Sequence, residues 1–201
     1  MMKAKIAVLV SGGGTNLQAL IDAQKNNIIK SGEISLVISN KADAYAIERA
    51  KRANIDTFVV TKKECNMDQC AFEKAIIEKL EEYKIDIIVL AGFMSILSES
   101  FTRKYDKKII NVHPSLIPSF CGKGFYGLRV HEAALQYGVK VTGATVHFVN
   151  EVPDGGEIIM QKVVEILPDD TPETLQKRVM ENAEWIILPL SVEKVCSNIQ
   201  K

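Results

Sequence analysis

The chain alternates short apolar runs with longer amphipathic stretches, and this rhythm limits its fold more than any other feature. Lys5 to Val10 reads as a buried strand, and Thr15 to Asn27 as a helix with Leu17, Leu20 and Ile21 facing inward. Ile34 to Ser39 is the next strand, followed by a helix near Ala44 to Ala53. Asp56 to Val60 reads as a short strand and Asp68 to Tyr83 as a long charged helix. Ile85 to Leu90 and Lys108 to Val112 complete a set of strands joined mainly by helices. Such connections predict a parallel sheet with helices on both faces. After Gly138 the rhythm changes. Lys140 to Val149 and Glu157 to Ile166 are long extended runs on either side of a turn at Pro153-Asp154-Gly155-Gly156, and they read as a hairpin that extends the sheet. Thr171 to Ile199 closes the chain mostly as helix, with Pro189 expected to bend it. The predicted fold class is α/β: one domain over residues 1–201, an open, mostly parallel twisted sheet with an antiparallel C-terminal hairpin. Ligands of such sheets sit beyond the carboxyl ends of the parallel strands.

Charge and cysteine usage narrow the chemistry. Lys plus Arg and Asp plus Glu both count 25, so no basic excess points to nucleic acid or to a membrane surface. Apolar runs such as Ile6 to Val10 are too short to span a bilayer, and no secretory leader is recognisable, so a cytoplasmic location is expected. Cys65, Cys70, Cys121 and Cys196 form no C-x-x-C pair or zinc-type spacing, which predicts free thiols and no bound metal.

Two segments carry chemistry. Ser11-Gly12-Gly13-Gly14-Thr15-Asn16 joins the first strand to the first helix, where bare backbone N–H groups and a helix N-terminus suit an anion. No Gly-Lys-Ser/Thr follows, and Leu17 stands where a dinucleotide fingerprint needs its third glycine. A single phosphate fits such a loop, and so does a simple tight turn with no ligand. Asn111 and His113 lie two apart at the end of a predicted strand, so they face one side together. A carboxamide can donate to an oxyanion and an imidazole can exchange protons near neutral pH, although a satisfied polar pair at a strand end looks the same in sequence. Asp154 on spacing alone is ordinary Asp-Gly turn chemistry, and His147 reads as a buried, hydrogen-bonded histidine.

Taken together, the segments resemble one family. Ser11 to Gln18, Ala91-Gly-Phe-Met94, Asn111-Val-His-Pro-Ser-Leu-Ile-Pro118, and Val146-His-Phe-Val149 with Asp154-Gly-Gly156 are similar to phosphoribosylglycinamide formyltransferases, in that family's order and over essentially the whole chain. The resemblance implies transfer of a formyl group from 10-formyltetrahydrofolate to the amine of glycinamide ribonucleotide, a step of purine biosynthesis. It implies that Asn111, His113 and Asp154 are catalytic, with Asp154 raising the imidazole's pKa and orienting it. It implies that Gly14, Thr15, Asn16 and Glu184 bind the amine substrate. The reduced folate would lie along Met94, Ser95, Ile96 and Leu97 and the 151–156 loop, within reach of Asn111 and Gln69. Small molecules would be the only ligands, with no metal, nucleic acid or membrane, and the chain would be a monomer or homodimer. Three residues depart from the family's pattern: Ser95 and Gln69 stand where arginine is common, and Trp185 where histidine is frequent. The first two bear on how the folate's glutamate tail is held. The alternatives are a formyltetrahydrofolate deformylase, which hydrolyses the same folate, and a non-catalytic nucleotide-binding module.

Overall fold

β1 (Ala4–Val10) is buried at every position but one, as a strand in the middle of a sheet covered on both faces must be. Ile6, Val8 and Val10 point into one core, and Ala7 and Leu9 into the other. A computed structural model describes residues 3–199, so the outermost two residues at each end of the expected 1–201 unit lie outside the described part. After β1 come α1 (Thr15–Lys25), β2 (Gly32–Ser39), α2 (Tyr45–Arg52), β3 (Asp56–Val59), α3 (Gln69–Glu82) and β4 (Ile87–Leu90). α4 (Glu99–Lys104), β5 (Ile109–His113), α5 (Leu128–Tyr137), β6 (Val141–Phe148), β7 (Ile158–Glu165), α6 (Pro172–Val179) and α7 (Trp185–Ile199) complete the order.

The seven strands form one sheet in the order β3-β2-β1-β4-β5-β6-β7. β1 pairs in parallel with β2 and β4, whereas β5–β6 and β6–β7 are antiparallel. This is the α/β sheet with an antiparallel edge that the sequence predicts. One core holds Leu17, Leu20, Ala46, Leu175, Val179 and Leu188 from α1, α2, α6 and α7. The other holds Phe72, Ile76 and Leu80 of α3 with Phe101 and Tyr105 in and beside α4. Among the described residues, no helix is long and apolar enough to cross a membrane.

The sequence reading misses one irregularity. The long C-terminal helix departs from α geometry at a π-helical turn, Met180–Glu184, and Pro189 lies inside the regular α7. The proline removes only the bond to the carbonyl of Trp185, at the junction where the ladder has already changed. α4 and α5 are two helices that the reading did not single out.

Strand order reverses between β1 and β4, which opens a crevice above their carboxyl ends. Side chains lace the loops there. Ser11 Oγ accepts the Met94 N–H at 2.8 Å, and the Asn40 amide donates to Ser95 Oγ at 2.7 Å.

Away from the crevice, Arg178 on α6 clamps Asp170 just before it and also donates to the Glu165 carbonyl at 3.2 Å. That clamp, foremost the Arg178 hydrogen bond, holds the Asp170 carboxyl down at about 2, against an ordinary 3.8. A carboxyl depressed by folding stabilises the fold above its ordinary value, and the contribution fades as pH falls toward the folded value. Asp170→Asn should therefore lower the urea midpoint at neutral pH, with the gap to the parent closing between pH 3.8 and about 2. A gap that stays constant across that range would rule out the clamp as its source.

Candidate active site

The antiparallel register of β5 and β6 sets His147 opposite Asn111 and Thr145 opposite His113. All four then share one face of the sheet. Thr145 fixes the start of the following loop, accepting from the Ile117 N–H at 3.0 Å and donating to the Ser115 carbonyl at 2.7 Å. Asp154 arrives from the turn after β6 with φ of 57°, a left-handed conformation that aspartate tolerates. Gly156 permits this return. A Cβ there would lie 1.7 Å from the Phe148 carbonyl oxygen.

The hydrogen bonds assign the ring protons. His113 Nε2 lies 2.9 Å from the Phe120 carbonyl, which can only accept, so Nε2 carries hydrogen and Nδ1 faces Asp154 Oδ2 at 3.4 Å. His147 Nδ1 donates in the same way to the Phe148 carbonyl at 2.8 Å. In the neutral ring, Nε2 is thus left to accept from the Asn111 amide at 3.2 Å, and it lies 3.6 Å from Asp154 Oδ1. Asp154 Oδ2 also accepts the Gly122 N–H at 2.8 Å. The cluster therefore contains His147 as well as the three residues the resemblance names.

Burial pushes the His113 imidazole down, and the Asp154 charge and the Phe120 carbonyl offset this only in part. The ring sits below its ordinary value of 6.5, which corrects the expectation of a raised one: Asp154 acts in the expected direction, but desolvation is the larger effect. Asp154 shows the opposite balance. Burial pushes its carboxyl up, yet the adjacent His147 and His113 rings and the Gly122 N–H together leave it below 3.8, and so ionised.

The glycine loop divides by role. Gly14 caps α1 with φ of 70°, and a Cβ there would meet Ala46 Cβ at 2.6 Å, so its lack of a side chain lets α1 and α2 approach. Gly12 and Gly13 are exposed, with nothing within 4 Å of an added Cβ, and these offer the accessible backbone. Thr15 and Asn16 open α1, and the Asn16 amide donates to Glu184 Oε2 at 2.8 Å. Glu184 sits in the π-helical turn, where burial raises its carboxyl to about 6 against the opposing pull of Asn16. The structure thus joins Asn16 to Glu184. Arg49, which the sequence reading did not single out, donates to the Gly13 carbonyl at 2.8 Å and to Gln18 at 3.0 Å.

A cavity of about 160 Å³ opens beside Asn111, lined by Ser95, Ile96, Leu97, His147 and Asp154 among others. Met94 belongs to the same loop, but it is exposed and not part of the lining. Gln69 does not reach the cavity at all. Its amide is held by Glu73 Oε1 at 2.6 Å and the Ile96 carbonyl at 3.1 Å, so it braces the loop from behind.

A family model described as formyl transferase matches residues 4–191. The phosphoribosylglycinamide formyltransferase of Haemophilus influenzae is 44% identical over 189 residues, covering 94% of this chain and 85% of that protein. The trifunctional purine biosynthetic protein adenosine-3 of Homo sapiens is 47% identical over 195 residues, which take in 97% of this chain but only 18% of the longer protein. The crystal structure of glycinamide ribonucleotide transformylase 1 from Symbiobacterium toebii matches with a TM-score of 0.90 at 38% identity, covering 98% of this chain and 89% of that one. The family model spans nearly the whole length, the relatives cover it at high identity, and the chain belongs to the formyl transferase family.

Proposed function

We propose that this chain transfers the formyl group of 10-formyltetrahydrofolate to the amine of 5'-phosphoribosylglycinamide, giving formylglycinamide ribonucleotide and tetrahydrofolate. The observation that carries the reading is the Asn111–His113–Asp154 cluster, in which Asn111 and Asp154 line the cavity and the buried His113 sits against Asp154. The phosphate of the amine substrate binds at the open backbone of Gly12 and Gly13 and the start of α1. Asn16 and Glu184 accept from its hydroxyl or amide groups. The folate's pterin occupies the cavity.

The amine nitrogen attacks the formyl carbon, a C–N bond forms, and the carbonyl electron pair moves onto oxygen. Asn111, its amide turned by His147, donates a hydrogen bond to that oxyanion. The attacking nitrogen must lose a proton and the departing folate nitrogen must gain one. His113, neutral at the start because of its burial, carries that proton while the ionised Asp154 beside it stabilises the transient imidazolium. The C–N bond to the folate then breaks. Holding both substrates across one crevice supplies orientation.

Incubating the protein with 10-formyltetrahydrofolate, with and without the amine, tests the reading. Tetrahydrofolate should appear only when the amine is present; release without amine would instead make the protein a hydrolase. Asn111→Ala should fold normally and lose roughly 10²–10³-fold in turnover, as loss of one oxyanion donor does. Near-parental turnover in a folded variant would remove Asn111 from the chemistry.

Asp154→Asn keeps size and removes charge. Because Asp154 works to raise the His113 imidazole, its loss should move the His113 titration to still lower pH. NMR titration reads this directly, and steady-state kinetics on the same sample should show most of the activity gone. An unmoved His113 together with intact turnover would reduce Asp154 to a turn residue.

A further inference from the structure

The loop between β5 and α5 touches the cluster at two points. Its Phe120 carbonyl accepts from His113 Nε2 at 2.9 Å, and two residues on, the Gly122 N–H donates to Asp154 Oδ2 at 2.8 Å. Both contacts depend on how the chain turns at Phe120, which has φ of 49°. Relaxing that angle to an ordinary negative value would swing the Phe120 carbonyl, and the chain after it, away from the cluster. Gly122, Gly124 and Gly127 also have positive φ in this loop, and glycine adopts it without a steric cost. Phe120 has no such freedom. A bulky side chain disfavours the left-handed region, so its surroundings must hold it there.

The ring supplies that hold. Half-buried, it meets Phe125 with 6.3 Å between ring centroids and Tyr137, at the end of α5, with 6.0 Å, both edge-on. Aromatic rings attract each other in this arrangement. One residue earlier, the Ser119 carbonyl accepts from Ser115 Oγ at 2.6 Å, so the chain enters the turn from a fixed position.

The consequence is chemical. A neutral imidazole has one N–H, and two acceptors compete for it here: the Phe120 carbonyl beside Nε2, and the Asp154 carboxylate 3.4 Å from Nδ1. Without the carbonyl the carboxylate wins, because a charged acceptor makes the stronger bond. The proton would then sit on Nδ1. The nitrogen beside Asp154, a residue that lines the cavity, would have no lone pair free to take another.

We infer that Phe120 is a positioning residue: its ring keeps a strained peptide in place, and the carbonyl of that peptide keeps Nδ1 of neutral His113 bare to receive a proton. The use of that nitrogen in catalysis rests on the proposed function, whereas the tautomer does not.

The test compares Phe120→Tyr, Phe120→Ala and Phe120→Gly in the full chain. Nitrogen NMR of the histidine rings, without substrates and at a pH where His113 is neutral, reads the tautomer, and steady-state kinetics read turnover. The parent and the tyrosine variant should both show Nε2–H. Alanine keeps the strain and loses the ring. His113 should then move toward Nδ1–H and turnover should fall at least about tenfold, with the Michaelis constant for the amine unchanged within about threefold. Glycine loses ring and strain together, so it should keep more Nε2–H and more turnover than alanine. A loss of packing alone predicts the opposite order, because glycine also loosens the chain. An alanine variant with the parental tautomer, or a glycine variant no better than alanine, would overturn the inference. Should alanine not fold, the glycine variant decides: Nε2–H supports the inference and Nδ1–H overturns it. A parent that transfers no formyl group would bring down the proposed function, and the tautomers would still decide the part given to Phe120.

Discussion

The site depends first on the antiparallel pairing of β5 with β6. A parallel neighbour at this position would place its carboxyl end beside that of β5 and send the chain away over the sheet. The antiparallel strand instead runs back past β5 toward its amino end, which sets His147 opposite Asn111, and the 149–157 loop that follows brings Asp154 to His113. A slip of one residue would turn His147 and Thr145 to the other face of the sheet. The Thr145 hydroxyl, bonded to both Ser115 and Ile117, helps hold that register by joining the strand to the loop it must face.

Inside the cluster, burial and charge act against each other, and the balance differs between the partners. His113 loses more from desolvation than it gains from one carboxylate, so it rests neutral. Asp154 accepts the Gly122 N–H, faces both imidazoles and stays ionised despite its burial. The result is a base free to take a proton with an anion fixed beside it. Neither state follows from the residue types alone, because each depends on how many donors converge after folding.

Much of this was legible in the sequence, for definite reasons. The apolar runs of β1 and β4 are short and continuous because both sheet faces are covered, and that pattern survives without knowledge of partners. α4 escaped because six residues are too few to display a helical period. α5 escaped because the residues it buries include His131 beside Val130 and Ala134, so its inner face does not read as apolar. His147 was legible as a buried histidine, but its partner lies 36 residues away and is set by strand register. Gln69 misled for a similar reason: its neighbour in space is Glu73, one helical turn on, and local geometry spends its amide there. The division of labour among Gly12, Gly13 and Gly14 depends on Ala46, in a different helix.

The hydrogen bond between Asn16 and Glu184 joins the first helix to the last stretch of the chain, 168 residues apart. On the ribosome, the strands that carry Asn111, His113 and Asp154 are all made before Glu184 emerges. The Asn111–His113–Asp154 part of the crevice can therefore assemble early, while the part closed by Asn16 and Glu184 stays open until synthesis is almost complete. A chain halted before the π-helical turn would carry Asn111, His113 and Asp154 but, under the proposed function, lack the carboxylate that accepts from the amine, and so would have no means of choosing the nucleophile it serves.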